Sequence, residues 1–272
     1  MCHHCVIESV KQDMLSRRSF FRGAAAVTAA AAVMTTAAPA IAQKAPATKA
    51  ADLTHDLVEN FPTYFGAQQF WIEKKNDFAK DGFNINEWRI VEHTGTHIDA
   101  PLHFTADGKG VGELAVEDLV APLSVIDIRA KADANADAEL TPDDIKAWTD
   151  KNGPLPEGGI VAMLSGWGKH VATEKFRNVG DDKAMHFPGF HLEAVKQLLE
   201  GSTKAIAVDT LSLDFGKSPD FIVHKTWLPA GRYGIEGIAN LESLPAAGAT
   251  IVVGAPKIAK GSGGPARVIA LV

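Results

Sequence analysis

Three imidazoles and one carboxylate lie within a single short segment. Residues 93–103 read HTGTHIDAPLH, so the potential donors are His93, His97, Asp99 and His103. Imidazole nitrogens and carboxylate oxygens are the donors that zinc, manganese and iron prefer, and burial of a core does not require them. A polar loop would account for one or two histidines. The concentration of four donors favours a metal site instead.

The spacing of these donors requires a bend in the chain. All four stand at odd positions and would project to the same side of an extended segment. A straight strand would hold His93 and His97 about 13 Å apart, too far to share one ion through bonds of ~2.1 Å. Gly95 tolerates conformations closed to other residues, and Pro101 argues against a helix. We therefore expect a kinked strand end or turn, where His93, His97 and Asp99 converge.

This pattern, His-x-Gly-Thr-His-x-Asp-x-Pro-x-His, resembles the signature of the cyclase family of metal-dependent hydrolases, which includes bacterial kynurenine formamidase and isatin hydrolase. Every fixed position of the signature is matched. Other segments are similar to family landmarks, namely residues 52–57, 165–167, 209–214 and 240–241. The resemblance covers nearly all of residues 52–272. We expect a supporting role for the acidic turn at 209–214.

The resemblance also implies a ligand set. One ion would be held by the residues that match His93, His97 and Asp99. A second ion, where present, would be held by those that match Asp99, His224 and Glu236, with Asp99 as the bridge. The expected cofactor is therefore a divalent metal, Zn or Mn, with one or two ions per chain.

The expected reaction is hydrolysis by a metal-activated water. A divalent ion lowers the pKa of its water from about 15.7 toward ~7. His103 is the candidate catalytic residue, because imidazole both accepts and donates protons near neutral pH. The resemblance implies cleavage of a C–N bond in a small aryl or cyclic amide, formamide or lactam. Three alternatives remain open: a lactone or ester hydrolase, a metal-assisted cyclase or dehydratase, and a non-catalytic metal-dependent binding protein.

The N-terminus has the features of an export signal. Paired arginines, Arg17 and Arg18, precede an Ala-rich apolar run over residues 24–40, and residues 40–42 offer a small-x-small cleavage site. A membrane anchor or a buried helix is the alternative, but the run is short and weakly apolar for a span. We predict a twin-arginine signal over residues 1–42, a flexible linker over 43–51 and the hydrolase domain over 52–272, in a periplasmic or secreted bacterial protein.

Composition narrows the possible partners. The 272 residues include 46% hydrophobic residues and carry a formal net charge of -6, which is typical of a soluble globular protein and argues against nucleic acid. Cys2 and Cys5 both lie in the expected signal, so nitrogen and oxygen must hold any metal in the mature chain. We expect a small-molecule substrate and no membrane association after signal cleavage. The resemblance implies a homodimer or larger homo-oligomer.

Strand and helix patterns alternate along the rest of the chain. Strands are predicted at residues 88–93, 123–128, 159–164, 204–209, 250–253 and 267–272, and helices at 141–152 and 191–199. Residues 130–139 read as a surface loop, and the aromatic-rich residues 64–71 as a core patch or as the wall of a substrate site. The expected fold is one α/β domain with a mixed β-sheet and flanking helices, of the swivelling β/α/β type that the resemblance implies.

Overall fold

A nine-stranded mixed sheet is the central element of residues 49–272, the part of the chain that the computed structural model describes. The expected signal and most of the expected linker, residues 1–48, lie outside the described residues. The strands are β1 (Ala50–Asp52), β2 (Phe70–Asn76), β3 (Ile85–Ile90), β4 (His97–Asp99), β5 (Val120–Asp127), β6 (Glu139–Leu140), β7 (Ile160–Leu164), β8 (Gly189–Phe190), β9 (Ala205–Val208), β10 (Tyr233–Glu236), β11 (Thr250–Gly254), β12 (Gly263–Pro265) and β13 (Arg267–Leu271). The order in the sheet is β1-β13-β11-β5-β7-β9-β10-β4-β12, while β2 pairs with β3 and β6 with β8.

The middle of the large sheet is parallel and its two sides are antiparallel. Strands β5, β7, β9 and β10 run parallel to one another. Strand β11 on one side and β4 on the other pair antiparallel with this group. Every residue of β7 (IVAML) and β9 (AIAV) is buried. Strands covered on both faces need such continuous apolar runs, which is why the sequence identified these two.

Five α-helices accompany the sheet in residues 49–272. They are α1 (Phe78–Asp81), α2 (Arg129–Ala134), α3 (Pro142–Asn152), α4 (Leu192–Glu200) and α5 (Ile222–Trp227). At the start of α3 the Thr141 N–H donates to Asp144 Oδ2 at 2.7 Å, and α3 ends before Gly153, as predicted. The Nδ1 of His191 caps α4 by accepting from the N–H of Glu193 at 3.1 Å. No helix among residues 49–272 is long and apolar enough to cross a membrane.

Two apolar layers pack on the faces of the sheet. One layer includes Leu53, Ile98, Leu123, Ile160, Ile235 and Ile251. The other lies beneath α3, α4 and α5 and includes Trp148, Met163, Phe190, Val195, Leu198 and Trp227. Helices α3, α4 and α5 each bury apolar residues in this second layer, which excludes water from that face of the parallel strands. The predicted α/β fold with a mixed sheet and flanking helices is therefore confirmed.

Three expectations about local structure need correction. Residues 130–139 are not a surface loop, because α2 and β6 occupy most of them; the Asp127 side chain starts α2 by accepting from the N–H of Arg129 at 3.0 Å. Ala50 and Ala51 were expected in the linker but pair with Leu271 and Ala270 of β13. The strand predicted at 88–93 lies at residues 85–90, which leaves His93 in the turn beyond it.

Candidate active site

Strand β4 carries the centre of the candidate site between β10 and β12. In the pairing of β4 with β10, His97 lies opposite Glu236 and Asp99 lies opposite Gly234. On the other side, Asp99 lies opposite Gly263 of β12. The register therefore places an imidazole beside a carboxylate contributed by a distant part of the chain, and it places a glycine on each side of Asp99.

The expected bend brings the remaining histidines to the same place. Gly95 adopts a positive φ of 74°, which glycine accepts without strain. Beyond it, the ring centroids of His93 and His97 are 5.3 Å apart. A short 3-10 helix, Pro101–Phe104, then stacks His103 on His93 at 3.8 Å with an interplanar angle of 23°. The segment therefore folds back on itself, as its spacing required.

Five side chains surround one buried point. Asp99 Oδ1 lies 2.6 Å from His93 Nδ1 and 3.3 Å from His97 Nε2. Glu236 lies 3.3 Å from His97 Nε2 through Oε2 and 3.0 Å from His224 Nε2 through Oε1. His224 Nε2 is also 3.7 Å from Asp99 Oδ2. The structure thus gathers every residue that was predicted as a ligand.

The donors at this point fit a divalent cation. His97 Nε2 and Asp99 Oδ2 are buried and have no hydrogen-bond partner, a state that is costly unless something else satisfies them. Two groups have ligand atoms within 4.8 Å of one another, His93 with Asp99 and His103, and His97 with Asp99 and Glu236. Asp99 belongs to both groups. This grouping differs from both expected sets, because His103 takes the place of His97 in the first group and His97 takes the place of His224 in the second, although His224 Nε2 also lies 3.0 Å from Glu236 Oε1.

The charges of the cluster also favour a cation. Burial by itself lowers the pKa of the His97 imidazole, but the carboxylates of Asp99 and Glu236 outweigh burial and raise that pKa to about 10. Burial likewise opposes protonation of His224, yet its hydrogen bonds, first of all to Asp214, hold its pKa well above the ordinary value. The buried carboxylates of Asp99, Glu236 and Asp214 thus favour positive charge at this point. A divalent ion would supply that positive charge.

His103 differs from these imidazoles. Burial lowers its pKa to about 4, and the nearby Asp99 carboxylate only partly opposes this effect. The ring lies on the wall of the cavity that leads to the cluster. His103 is therefore neutral near neutral pH, and its low pKa means that it would hold a proton only transiently there.

An acidic turn after β9 supports His224. Asp214 Oδ2 accepts from His224 Nδ1 at 2.7 Å, and Oδ1 accepts from the Val223 N–H at 2.8 Å and from Ser218 Oγ at 3.1 Å. These bonds aim His224 Nε2 at the cluster. The other acid of the turn, Asp209, accepts from the N–H groups of residues 165–167. Asp214 thus contacts His224 as a supporting role of this turn requires, and the role itself stays a prediction.

Residues of the cluster line a cavity of about 230 Å³. Its aromatic walls are formed by Phe61, Tyr64, Phe65, Phe104, Phe176 and Phe221. Tyr64 and Phe221 have ring centroids 5.4 Å apart, and Phe104 and Phe221 6.0 Å. Of the aromatic-rich residues 64–71, Tyr64 and Phe65 line the cavity, whereas Phe70 is buried. Sequence reasoning missed the other four phenylalanines, although two adjoin predicted site segments.

The sequence of this chain is similar to those of known proteins. The Cyclase family model matches residues 51–215. Isatin hydrolase from Roseibium aggregatum is 32% identical over 238 residues, covering 84% of this chain and 88% of that protein. Kynurenine formamidase from Salinibacter ruber is 24% identical over 202 residues, covering 74% of this chain and 86% of that protein.

A solved structure shows the same relationship. The crystal structure of an isatin hydrolase bound to the product analogue thioisatinate superposes with a TM-score of 0.77 at 32% sequence identity, covering 82% of this chain and 92% of that one. The fold, the donors on β4 and the match to the family model all indicate the same family. The chain belongs to the cyclase family of metal-dependent hydrolases.

Proposed function

We propose that this protein hydrolyses the C–N bond of a small, uncharged aryl or cyclic amide, formamide or lactam. The observation that carries the proposal is one cavity that is lined both by metal-type donors and by aromatic rings. Such a site holds a flat ring against the walls and places a ring-attached carbonyl at the donors. The similarity to isatin hydrolase and kynurenine formamidase supports the same class of bond.

The charge of the cavity favours an uncharged substrate. No lysine or arginine occurs among the described residues that line it. Its ionisable groups are mainly the site's own histidines and Glu236. A substrate with a zwitterionic amino-acid substituent would leave its carboxylate without a cationic partner on these walls, which is unfavourable in a partly dry site. We therefore favour a neutral lactam or anilide over an amino-acid formamide.

We propose that one or two ions of Zn or Mn are held by His93, His97, Asp99, His224 and Glu236. The nitrogen and oxygen donors suit either metal, and the place of Asp99 in both donor groups supports a shared carboxylate. A divalent ion bound there supplies an acidified water and a positive charge beside the substrate carbonyl.

His103 is proposed as the proton carrier of the reaction. Its neutral ring lies in the cavity, stacked on His93, so it can take a proton from the attacking water. The protonated ring then returns that proton to the leaving nitrogen, which makes the amine a better leaving group. A single imidazole therefore serves both halves of the reaction.

A substrate panel tests the proposal. Full-length protein reconstituted with Zn²⁺ or Mn²⁺ is assayed for metal content and for turnover of isatin, an N-formyl aryl amine, an aryl lactone and a cyclic imide. We expect chelator-sensitive ring opening of isatin. Faster turnover of the lactone would favour an esterase, a product without added water a cyclase or dehydratase, and binding without turnover of any member a binding protein.

We also propose export and self-association. The Arg17-Arg18 pair and the apolar run that follows support transport by the twin-arginine route into the periplasm or medium. Cell fractionation of the wild type beside a variant with both arginines changed to lysine tests this, and retention of both in the cytoplasm would contradict it. Analytical ultracentrifugation tests the proposed homodimer or larger assembly, which a monomeric mass would exclude.

A further inference from the structure

His93 is held at both of its ring nitrogens. Nδ1 faces Asp99 Oδ1 at 2.6 Å, inside the cluster. Nε2 faces the hydroxyl oxygen of Ser262 at 2.9 Å, across 169 residues of sequence. Which of these nitrogens carries a proton decides which one can bind a metal ion.

The hydrogen bonds of Ser262 settle the direction of this contact. Its backbone N–H donates to Glu92 Oε2 at 3.2 Å, and its hydroxyl donates to the same oxygen at 2.5 Å. A serine hydroxyl has a single proton and a carboxylate only accepts. Because that proton is committed to Glu92, Ser262 Oγ must accept from the Nε2–H of His93. Nδ1, which donates to the Asp99 carboxylate at 2.6 Å in the absence of an ion, is then the nitrogen of His93 that can give up its proton and bind a metal.

The other two imidazoles are set the opposite way round. His97 Nδ1 donates to the carbonyl of Gly95 at 2.9 Å, and His224 Nδ1 donates to Asp214 at 2.7 Å. Both therefore present Nε2 to the cluster. His93 alone among these three presents Nδ1, and it alone is oriented by a hydroxyl rather than by a carbonyl or a carboxylate.

The backbone around Ser262 keeps the hydroxyl in place. The carbonyl of Ser262 accepts from the Ala100 N–H at 2.9 Å, which ties it to the end of β4. The next residue is Gly263, where a Cβ atom would lie 2.6 Å from Cε1 of His93. Ser262 thus supplies a hydrogen-bond acceptor for the imidazole, and the absence of a side chain at Gly263 leaves room for the ring.

We propose that Glu92 and Ser262 are a positioning pair that fixes His93 as its Nε2–H tautomer and so makes Nδ1 the metal-binding nitrogen. The inference rests on the proposed metal centre. Glu92 acts through Ser262, since it receives the hydroxyl proton and thereby makes the oxygen an acceptor. Removal of the hydroxyl frees the ring to rotate and to exchange tautomers, at a cost in metal affinity.

Zinc affinity of the metal-free full-length protein, measured by chelator competition, tests the pair. Ser262→Ala should weaken Zn²⁺ binding about 10–100-fold. Glu92→Gln should weaken it less, because the amide oxygen still accepts from the hydroxyl. The double variant should bind Zn²⁺ no more weakly than Ser262→Ala, because both substitutions break the same series of hydrogen bonds from His93 through Ser262 to Glu92. Ser243→Ala is the matched control, because the exposed Ser243 hydroxyl donates to the carbonyl of Asn240 and is not part of the donor cluster, so this variant should bind Zn²⁺ like the wild type.

The outcomes separate this inference from the metal centre itself. Unchanged zinc affinity in Ser262→Ala, or additive losses in the double variant, would overturn the positioning pair alone. A wild type that binds no zinc would overturn both proposals. Melting temperatures of the metal-free variants close to that of the wild type show that the fold is intact.

A spectroscopic readout tests the tautomer directly. In the zinc-loaded, 15N-histidine-labelled protein, the His93 signal is identified by its loss in His93→Gln. We expect a proton on Nε2 of His93, and an altered or exchange-broadened Nε2–H signal in Ser262→Ala. A proton on Nδ1 of His93 in the loaded wild type would contradict the assignment.

Discussion

Gly263→Ala probes how closely β12 packs against the metal-binding segment. A Cβ atom built at Gly263 would lie 2.3 Å from the carbonyl oxygen of Ile98 and 2.6 Å from Cε1 of His93. Ordinary contacts between carbon atoms are about 3.5–4.0 Å. Neither neighbour moves freely, because Ile98 belongs to β4 and the ring of His93 is stacked on His103. The methyl group must therefore push β12 away or displace the imidazole.

The expected size of the effect follows from these contacts. Overpacking of this kind costs about 1–3 kcal/mol, and each kcal/mol lowers the melting temperature of a domain of this size by roughly 2–4 °C. We therefore expect the metal-free Gly263→Ala protein to melt roughly 2–12 °C below the wild type. Displacement of His93 should also weaken Zn²⁺ binding at least about tenfold.

Thermal unfolding followed by circular dichroism and zinc titration with a competing chelator measure both effects. Gly201→Ala is the matched control, because the nearest atom to its Cβ would be the carbonyl oxygen of Leu198 at an ordinary 3.6 Å. Its stability should stay within about 0.5 kcal/mol of the wild type. A Gly263→Ala protein that melts and binds zinc like the wild type would refute the packing argument.

Three further predictions concern the donors. Zn²⁺ binding near neutral pH should release at least about two protons per chain, because carboxylates raise the pKa of His97 to about 10 and that of His224 well above its ordinary value. Calorimetry in buffers of different ionisation enthalpy counts the protons, and zero release would contradict these charges. His103→Ala should lower kcat about 10²–10⁴-fold at unchanged metal content, while His170→Ala changes neither; metal loss in His103→Ala would make His103 a ligand. Asp214→Asn should weaken Zn²⁺ binding about 10–100-fold by equilibrium dialysis, because Asp214 orients His224, and an unchanged affinity would exclude that role.

Local spacing was enough to predict the part of the site that one segment supplies. The donors from His93 to His103 and the bend at Gly95 depend on chain geometry over a few residues, and the structure shows them as predicted. The start of α3 at Thr141-Pro142 is equally local. Continuous apolar runs identified β7 and β9 for a similar reason, since only strands covered on both faces need them.

The grouping of the donors was beyond such reasoning. It depends on the antiparallel register that sets His97 opposite Glu236 and Asp99 opposite Gly263. Likewise, the contact of Ser262 with His93 joins positions 169 residues apart. No local pattern encodes a pairing register across such distances. The resemblance named the donors, but only the folded sheet shows which of them are neighbours.

The hairpin of β2 and β3 was missed for a different reason. Its outward residues include Trp88, 69% exposed, and Ile72, 43% exposed, so apolar side chains do not mark a buried face there. The prediction relied on alternation of buried apolar residues, and it therefore placed β3 at residues 88–93, too close to the metal-binding segment. Strand β1 was missed because its partner, β13, lies at the other end of the chain.

We propose that a water molecule cleaves an aryl C–N bond at this centre with the help of a divalent ion. The most direct test is hydrolysis of isatin by metal-replete full-length protein in ¹⁸O-labelled water, with mass analysis of the product. We expect a ring-opened product that gains one labelled oxygen, and loss of that product when a chelator removes the ion. Intact isatin after incubation with the metal-replete protein, or turnover that survives complete metal removal, would contradict it.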